Sequence, residues 1–318
     1  MPSFLEKTRQ ARAVLKQYLP PTRLVPASSL SQRTGRNIYL KLECELPTGS
    51  FKPRGAIYAL SEEMARQPVA EVVTCSTGNH GAAVAYAARL LGVRARIFLP
   101  QNPNPVKRKK IADLGAEIIE CGRDLSEAFG EAANYVRTHG AYLLDDATGL
   151  DLPAGPGTIA LEVLEQLPEA DTFVVPVGDS ALIRGIAGAA KQLRPAIRIV
   201  GVQAQNAPAY FLSWKQGTAI STDTCDTIAD GLATRTPNSG NVIAIRELVD
   251  EIRLVSDHQM LSTVRDLLLV EHVVAEPAGA AATAALLSGP ALAGENIVLV
   301  VSGANLTPDL LRQAAALE

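Results

Sequence analysis

Cysteine, histidine and nucleotide-binding motifs are sparse in this 318-residue sequence. Its 4 cysteines form no Cys-x-x-Cys pair, which argues against a zinc knuckle or a disulfide framework and indicates reduced thiols. The 4 histidines are scattered along the chain, so no metal site is predicted. No G-x-G-x-x-G segment follows a predicted strand, which disfavours a nicotinamide-dependent Rossmann enzyme.

Long apolar runs and an excess of basic charge are missing as well. No run of about 18 uninterrupted apolar residues occurs, so no membrane span is predicted. The N-terminal residues are charged and lack the apolar segment of a signal peptide, so we expect a cytoplasmic protein. The net charge of −3 disfavours a nucleic-acid partner. The one basic run, VKRKK at residues 106–110, is predicted to be a solvent-exposed helix face.

What the sequence does contain is a regular alternation of strand and helix patterns. From Glu71 onward, short apolar runs alternate with longer segments of helical spacing, and a second such series begins near residue 157. This alternation predicts an α/β fold with two mostly parallel sheets and a ligand cleft between them. ENIVLVVSG is predicted to contain a central strand, and residues 204–245 are predicted to be mostly loops.

The first segment with chemical character is KLECELPTGSFKPRGAIYAL, residues 41–60. Ser50 is predicted to cap a helix, which places Phe51 and Lys52 in its first turn. The positive end of the helix dipole disfavours a protonated amine there, so Lys52 would be a good nucleophile. A solvent-exposed lysine in a proline-containing turn is the alternative.

The second segment is CSTGNHGAAVAYAA, residues 75–88, where a predicted strand leads through a polar loop into a helix. Ser76, Thr77, Asn79 and His80 supply hydrogen-bonding groups beside the backbone N–H groups of a helix N-terminus. Together these groups suit a carboxylate or a phosphate. A helix cap with a nearby, satisfied histidine is the alternative.

Two further turns follow predicted strands. In VVPVGDSALIRG, residues 174–185, the turn at Gly178 could bind an anion through its backbone N–H groups or be an ordinary strand–helix loop. In VVSGANLTPDLL, Ser302 ends the predicted central strand. A lone serine at such a place is commonly only a turn residue, so its significance depends on the other segments.

Taken together, PTGSFKPRGA, STGNHG, the turn at Gly178 and VSGAN resemble the fold-type II pyridoxal-phosphate enzymes in their order and approximate spacing. The sequence is most similar to the threonine/serine dehydratase and serine racemase family. The resemblance also covers AGPGTIALEVLEQLP, TIADGLA and AEPAGAAA, and so spans nearly the whole chain. It implies a tryptophan-synthase-β-like fold. Residues 1–50 and 148–318 would form a large cofactor-binding domain and residues 51–147 a small substrate-loop domain.

The resemblance also implies functions for individual residues. Lys52 would carry the pyridoxal 5'-phosphate covalently and later remove the substrate α-proton, and Thr77 would be the second catalytic residue, on the opposite face. Ser302 would face the pyridine nitrogen. The remaining cofactor contacts would come from Phe51, Asn79 and the phosphate-binding residues Gly178, Asp179, Ser180, Ala181 and Leu182. The substrate carboxylate would be bound by Ser76, Thr77, Gly78, Asn79 and His80.

The implied reaction is the dehydration of a β-hydroxy-α-amino acid to a 2-keto acid and ammonia. A neutral serine beside the pyridine nitrogen weakens the electron sink, which favours loss of a β-substituent over transamination. Thr77 replaces the serine that acts in racemases, which ranks dehydration above racemisation. Gln203 and Ala209 replace the acidic ligands of metal-dependent racemases, so no metal is expected. A β-replacement enzyme is disfavoured by His80, and a non-catalytic ligand-binding protein is a further alternative.

Two departures from the family pattern concern the substrate and the phosphate. Asp145 and Asp146 replace a His-Pro pair beside the side-chain pocket, which puts serine and threonine in doubt and leaves bulkier neutral substrates such as phenylserine open. Asp179 replaces a glycine of the phosphate loop. It is expected to adopt the left-handed backbone conformation and to point toward solvent or Arg184. A small amino-acid substrate and a homodimer are the partners that the resemblance implies.

Overall fold

Two β-sheets organise the protein, and we describe them from a computed structural model that covers residues 2–149 and 151–317. A six-stranded sheet has the strand order β1-β2-β10-β7-β8-β9, and a four-stranded sheet has the order β5-β4-β3-β6. The strands are β1 Leu24–Pro26, β2 Asn37–Lys41, β3 Glu71–Cys75, β4 Arg94–Leu99, β5 Glu117–Glu120, β6 Tyr142–Leu143, β7 Thr172–Pro176, β8 Arg198–Ala204, β9 Glu251–Val255 and β10 Asn296–Val300.

Helices connect the strands and follow most of them along the chain. The α-helices are α1 Phe4–Leu15, α2 Ser28–Thr34, α3 Lys52–Arg66, α4 Asn79–Leu91, α5 Pro105–Asp113, α6 Leu125–His139, α7 Ala154–Gln166, α8 Ala181–Leu193, α9 Ala209–Gln216, α10 Ser239–Leu248, α11 Asp257–Leu269, α12 Pro277–Ser288 and α13 Pro308–Ala315. No helix of the described residues is both long and apolar enough to span a membrane.

Both sheets are parallel except for β1, which pairs antiparallel with β2. The predicted α/β class is therefore confirmed. Strand β10 lies between β2 and β7, and its alternating residues face two separate apolar clusters: Ile297 and Leu299 on one face, Val298 and Val300 on the other. Burial of both faces explains why this strand is a continuous apolar run. The domain boundaries stay a prediction.

Several helix ends follow directly from the sequence. Gly92 and Gly140 end α4 and α6 in the left-handed conformation, with φ of 72° and 66°, which costs glycine little because it has no Cβ. Thr307 caps α13 by accepting a hydrogen bond from the backbone N–H of Leu310, and Pro308 follows at the first helical position.

Residues 204–245 are mostly loops, as predicted, and they also contain α9 and the start of α10, whose apolar residues lie between Pro, Asn and Gly residues that resemble loop sequence. Two other local predictions were wrong. The apolar run in AYLLDD, residues 141–146, predicts a strand, but the strand there covers only Tyr142–Leu143. Ser50 does not cap α3: the N-cap is Phe51, without a side-chain bond, and the Ser50 hydroxyl lies 3.5 Å from that of Thr48.

A buried ionic network joins the beginning of α3 to the six-stranded sheet and to α7. Arg54, only 2% exposed, donates through Nε to Glu43 at 2.7 Å and through Nη1 to Glu162 at 2.6 Å. Lys41 donates to the same Glu162 at 2.6 Å, so two cations face two carboxylates. Burial opposes the charge of Arg54, but Glu43 and Glu162 outweigh it and raise the pKa of the guanidinium. The network fixes α3 only two residues after Lys52.

We expect Arg54→Ala to destabilise the protein by about 3–5 kcal/mol, because two carboxylates would remain buried without this partner. Arg12→Ala, which removes an exposed pair with Glu165, should cost at most about 1 kcal/mol. Urea unfolding of both variants beside the wild type measures the difference. Equal midpoints for the two variants would contradict the importance of the network.

Candidate functional site

A cavity of about 240 Å³ lies at the carboxyl ends of β3, β7 and β10. Every residue that the sequence predicted for the site lines it: Phe51, Lys52, Ser76, Thr77, Gly78, Asn79, His80, Gly178, Asp179, Ser180, Ala181, Leu182 and Ser302. Ligands bind at this edge in open parallel sheets, because the loops that follow the strands converge there. The fold therefore brings four segments that are distant in the sequence to one place.

Lys52 is the first residue of α3, and its amine reaches an aspartate across the cavity. Its Nζ donates a hydrogen bond to Oδ2 of Asp146 and lies 5.2 Å from the centre of the Phe51 ring. Lys52 is thus not the exposed lysine of the alternative interpretation. Its position follows from Pro53, which is tolerated in the first turn of the helix, where its missing N–H removes no bond.

Asp146, rather than Asp145, faces the cavity. Asp145 instead accepts hydrogen bonds from the backbone N–H and hydroxyl of Thr148, at 3.0 and 2.5 Å, and closes its own turn. The notion that Asp145 borders the substrate pocket is therefore wrong. Burial alone would raise the pKa of Asp146, but the nearby Lys52 and His80 outweigh it and hold that pKa below its usual range.

Asn79 begins α4 and is held by two residues that sequence reasoning missed. Its Nδ2 donates to Oε1 of Glu276 at 2.7 Å, and its Oδ1 accepts from the amide of Asn305. Burial raises the pKa of Glu276. Both residues are polar and flank a structural boundary, Glu276 just before Pro277 of α12 and Asn305 just after the β10 turn. Their polar side chains at the ends of these elements were the feature of the sequence that could have identified them.

His80 is buried, and one of its nitrogens is already engaged. Nε2 lies 3.0 Å from the carbonyl oxygen of Leu144, while Nδ1 lies 3.7 Å from Oδ1 of Asp146. The ring is therefore anchored to the loop after β6. In the loop between β3 and α4, Ser76 and Thr77 are half-buried and line the cavity.

The turn after β7 is built differently from the prediction. Ser180, with φ of 74°, is the residue in the left-handed conformation, and Asp179 is not. Asp179 also does not point to solvent or to Arg184, because its Oδ1 accepts a hydrogen bond from Thr234 at 3.1 Å. Burial and the charge of Asp146 raise the pKa of Asp179. A Cβ on Gly178 would approach the carbonyl oxygen of Gly231 to 2.1 Å, so only glycine fits there.

Helix α8 presents an uncapped N-terminus to the cavity. It is 13 residues long, and no side chain of residues 2–149 and 151–317 caps its first N–H groups. Arg184, one turn later, donates from Nε to the Ser180 hydroxyl at 3.0 Å. Free N–H groups at the positive end of a helix dipole bind anions such as phosphate.

The basic segment 106–110 is only partly exposed to solvent. Lys107 and Lys110 line the cavity, and burial lowers the pKa of each amine. Lys107 pairs with Asp230, and Lys110 donates to the Thr48 carbonyl at 2.7 Å. The prediction of a fully solvated helix face is therefore wrong for these two residues, while Lys109 does face solvent.

Comparison with known proteins identifies the family. Residues 15–303 match the family model described as pyridoxal-phosphate dependent enzyme. The chain belongs to this family. It is 36% identical over 310 residues to L-threonine ammonia-lyase of Thermotoga maritima, covering 96% of this chain and 77% of that protein. It is 35% identical over 314 residues to the L-threonine dehydratase catabolic TdcB of Staphylococcus aureus, covering 97% and 90%.

Solved structures agree with this family membership. Maize serine racemase has a TM-score of 0.91 at 31% identity, covering 99% of this chain and 97% of that chain. The processed form of threonine deaminase isoform 2 from Solanum lycopersicum has a TM-score of 0.92 at 29% identity, covering 99% and 94%. The chain is a pyridoxal-phosphate-dependent enzyme with the tryptophan-synthase-β-like fold.

The residues around the cavity fit the family's cofactor, pyridoxal 5'-phosphate. The uncapped start of α8 offers backbone donors for its phosphate, and the nearby Lys52 offers an amine for its aldehyde. Ser302 also lines the cavity, and among the described residues its hydroxyl makes only a long contact of 3.5 Å with the Ala278 carbonyl oxygen, which leaves the hydroxyl available to a ring nitrogen.

If the turn at Gly178 holds the phosphate, Gly178→Ala should abolish or greatly weaken cofactor binding, since the added methyl must displace the Gly231 backbone. Cofactor absorbance after dialysis, together with the thermal shift on adding pyridoxal phosphate, measures this. Gly130→Ala is the matched control: Gly130 is exposed within α6 and nothing lies within 4 Å of its added Cβ. Full cofactor retention in Gly178→Ala would contradict the assignment.

Proposed function

We propose that the enzyme removes water from a β-hydroxy-α-amino acid and releases a 2-keto acid and ammonia. The observation that carries the proposal is Ser302, a neutral hydroxyl at the end of β10 where the cavity can accept a cofactor ring. A hydroxyl does not hold a ring nitrogen protonated as a carboxylate would, so negative charge on the substrate stays near its α-carbon. Expulsion of the neighbouring β-hydroxyl is then favoured.

Each group of residues has a defined part in this proposal. Pyridoxal phosphate, when bound, supplies the electron sink for the negative charge that develops at the α-carbon. Lys52 Nζ takes the α-proton, and the helix start at residues 178–182 binds phosphate through backbone N–H groups. Asn79 orients the ring through its amide, which Glu276 and Asn305 hold in one rotamer. The loop 76–80 binds the substrate carboxylate.

Loss of water from the substrate gives an enamine, which then hydrolyses to the keto acid and ammonia. Serine, threonine and bulkier neutral compounds such as phenylserine are the substrates to compare. The relatives that carry the name threonine ammonia-lyase or threonine dehydratase support threonine as the first compound to test.

In a screen of β-hydroxy amino acids, we expect ammonia and keto acid in equal amounts from the preferred substrate. Lys52→Ala should lower this turnover by at least about a hundredfold, because general-base catalysis contributes that much. Lys109→Ala, an exposed lysine on α5, is the control and should keep wild-type turnover. Undiminished ammonia release by Lys52→Ala would reject the assigned base.

A racemase is the second candidate, and similarity to maize serine racemase favours it. Thr77 would be the acid/base on the opposite face, where its added methyl group makes proton transfer less effective than with serine. Chiral chromatography of the unreacted amino acid from the same assay separates the two activities. A β-replacement enzyme would form product only when a thiol is added, and that outcome would reject the lyase.

We further propose that the enzyme is a homodimer in the cytoplasm, as the resemblance to its family implies. Light scattering coupled to size-exclusion chromatography of the holoenzyme tests the dimer, and a mass of 33.6 kDa, that of one chain, would exclude it.

A further inference from the structure

Asp146 is a charged residue of the cavity wall that the proposed function leaves without a part. The residue is only 8% exposed and lines the cavity. One carboxylate oxygen, Oδ2, accepts a hydrogen bond from Lys52. The other, Oδ1, is buried and has no hydrogen-bond partner among the described residues. The carboxylate therefore depends on one donor.

The neighbouring histidine does not satisfy the free oxygen. Because the Leu144 carbonyl can only accept, Nε2 of His80 must carry the hydrogen in their 3.0 Å contact. The other ring nitrogen, Nδ1, faces Oδ1 of Asp146 at 3.7 Å, which is beyond hydrogen-bond distance. This Nδ1 is also buried and has no partner among the described residues. The Oδ1 atom of Asp146 therefore has no hydrogen bond from His80.

The other nearby charges do not supply a donor either. The Nε of Arg184 is bound to Ser180 and its Nη2 is buried without a partner, but no hydrogen bond joins Arg184 to Asp146 among the described residues. Asp179 is an acid whose Oδ1 accepts a hydrogen bond from Thr234, and no hydrogen bond joins it to Asp146 among the described residues. Lys52 does not remain a cation beside Asp146 under the proposed function, because its amine is bound by the cofactor before the substrate arrives and must be uncharged to take the α-proton.

A buried carboxylate without a partner is strongly unfavourable, whereas one that pairs with a cation is not. We propose that Asp146 binds a positively charged group on the substrate side chain. The preferred substrates are then β-hydroxy-α-amino acids that carry a second ammonium group beyond the β-carbon. This inference rests on the proposed function and specifies its substrate class. Acidic substrates would be rejected by the same carboxylate.

A simpler possibility is that Asp146 only positions the Lys52 amine. That possibility predicts equal losses for all substrates when Asp146 is changed, whereas a cation site predicts a loss for cationic ones alone. Selectivity between a cationic and a neutral compound of the same shape therefore separates the two explanations.

Binding to the holoenzyme provides the first measurement. Neither 2,4-diaminobutyrate nor norvaline has a β-hydroxyl, and they differ mainly by an ammonium in place of a methyl group. Titration calorimetry and the change in cofactor absorbance give both dissociation constants without turnover. We expect 2,4-diaminobutyrate to bind about tenfold or more tightly, and Asp146→Asn to remove this preference while norvaline binds as before.

Turnover provides the second measurement, with 2,4-diamino-3-hydroxybutanoate and 3-hydroxynorvaline as the matched pair. The ratio of their kcat/KM values should favour the cationic compound in the wild type and fall about tenfold or more in Asp146→Asn. Asp145→Asn, one residue away and outside the cavity, is the control and should keep the wild-type ratio. Asp146→Glu keeps the charge and should keep part of the preference. This second variant distinguishes loss of the charge from misfolding of Asp146→Asn.

Equal affinity of the wild type for the two unreactive compounds would overturn the inference. So would a parallel loss for both compounds in Asp146→Asn, because that result assigns Asp146 to Lys52 alone. If no β-hydroxy amino acid releases ammonia, the proposed function fails. The binding preference for the cationic compound then still decides the assignment of Asp146 by itself.

Discussion

The buried pairing of Arg54 and Lys41 with Glu43 and Glu162 is the interaction on which the rest of the site depends. It joins the end of β2, the first turn of α3 and the middle of α7, and its opposite charges balance inside the protein. Lys52 lies half a helical turn before Arg54, so the network sets where its amine can reach. A buried ionic group gains little net free energy, but its geometry admits few alternatives. The network therefore positions the reactive end of a helix more than it adds stability.

The sequence was sufficient for features that depend on repeated or local patterns. The alternation of strands and helices, the central position of β10 and the caps at Gly92 and Thr307 are local consequences of periodicity and backbone chemistry. Contacts between distant segments were not predictable in this way. Asn79 binds Asn305 and Glu276, which come from segments far away in the sequence, and this contact depends on how the two sheets pack. Likewise, a shift of one residue along the chain decides whether Asp145 or Asp146 contacts Lys52.

The turn at Gly178 combines one position where only glycine fits with polar side chains that bind neighbouring residues. Ser180 adopts the strained left-handed conformation, which costs a non-glycine residue roughly 1–2 kcal/mol, and its hydroxyl meets the Arg184 guanidinium. Asp179 turns to Thr234. Meanwhile the environments of two carboxyl groups diverge, since the pKa of Asp146 is lowered and that of Asp179 is raised. The cavity thus favours the charged form of one aspartate and disfavours that of the other.

The pair formed by Lys107 of α5 and Asp230 lies at the rim of the cavity, where the Asp230 side chain is 65% exposed. An exposed pair contributes at most about 1 kcal/mol and is screened by salt, with a Debye length of about 8 Å at physiological ionic strength. The Arg54 network is buried and is screened far less. The two pairings therefore respond differently to salt. The Lys107–Asp230 pair at the rim weakens as ionic strength rises, whereas the buried network that fixes the start of α3, and with it the Lys52 amine, does not.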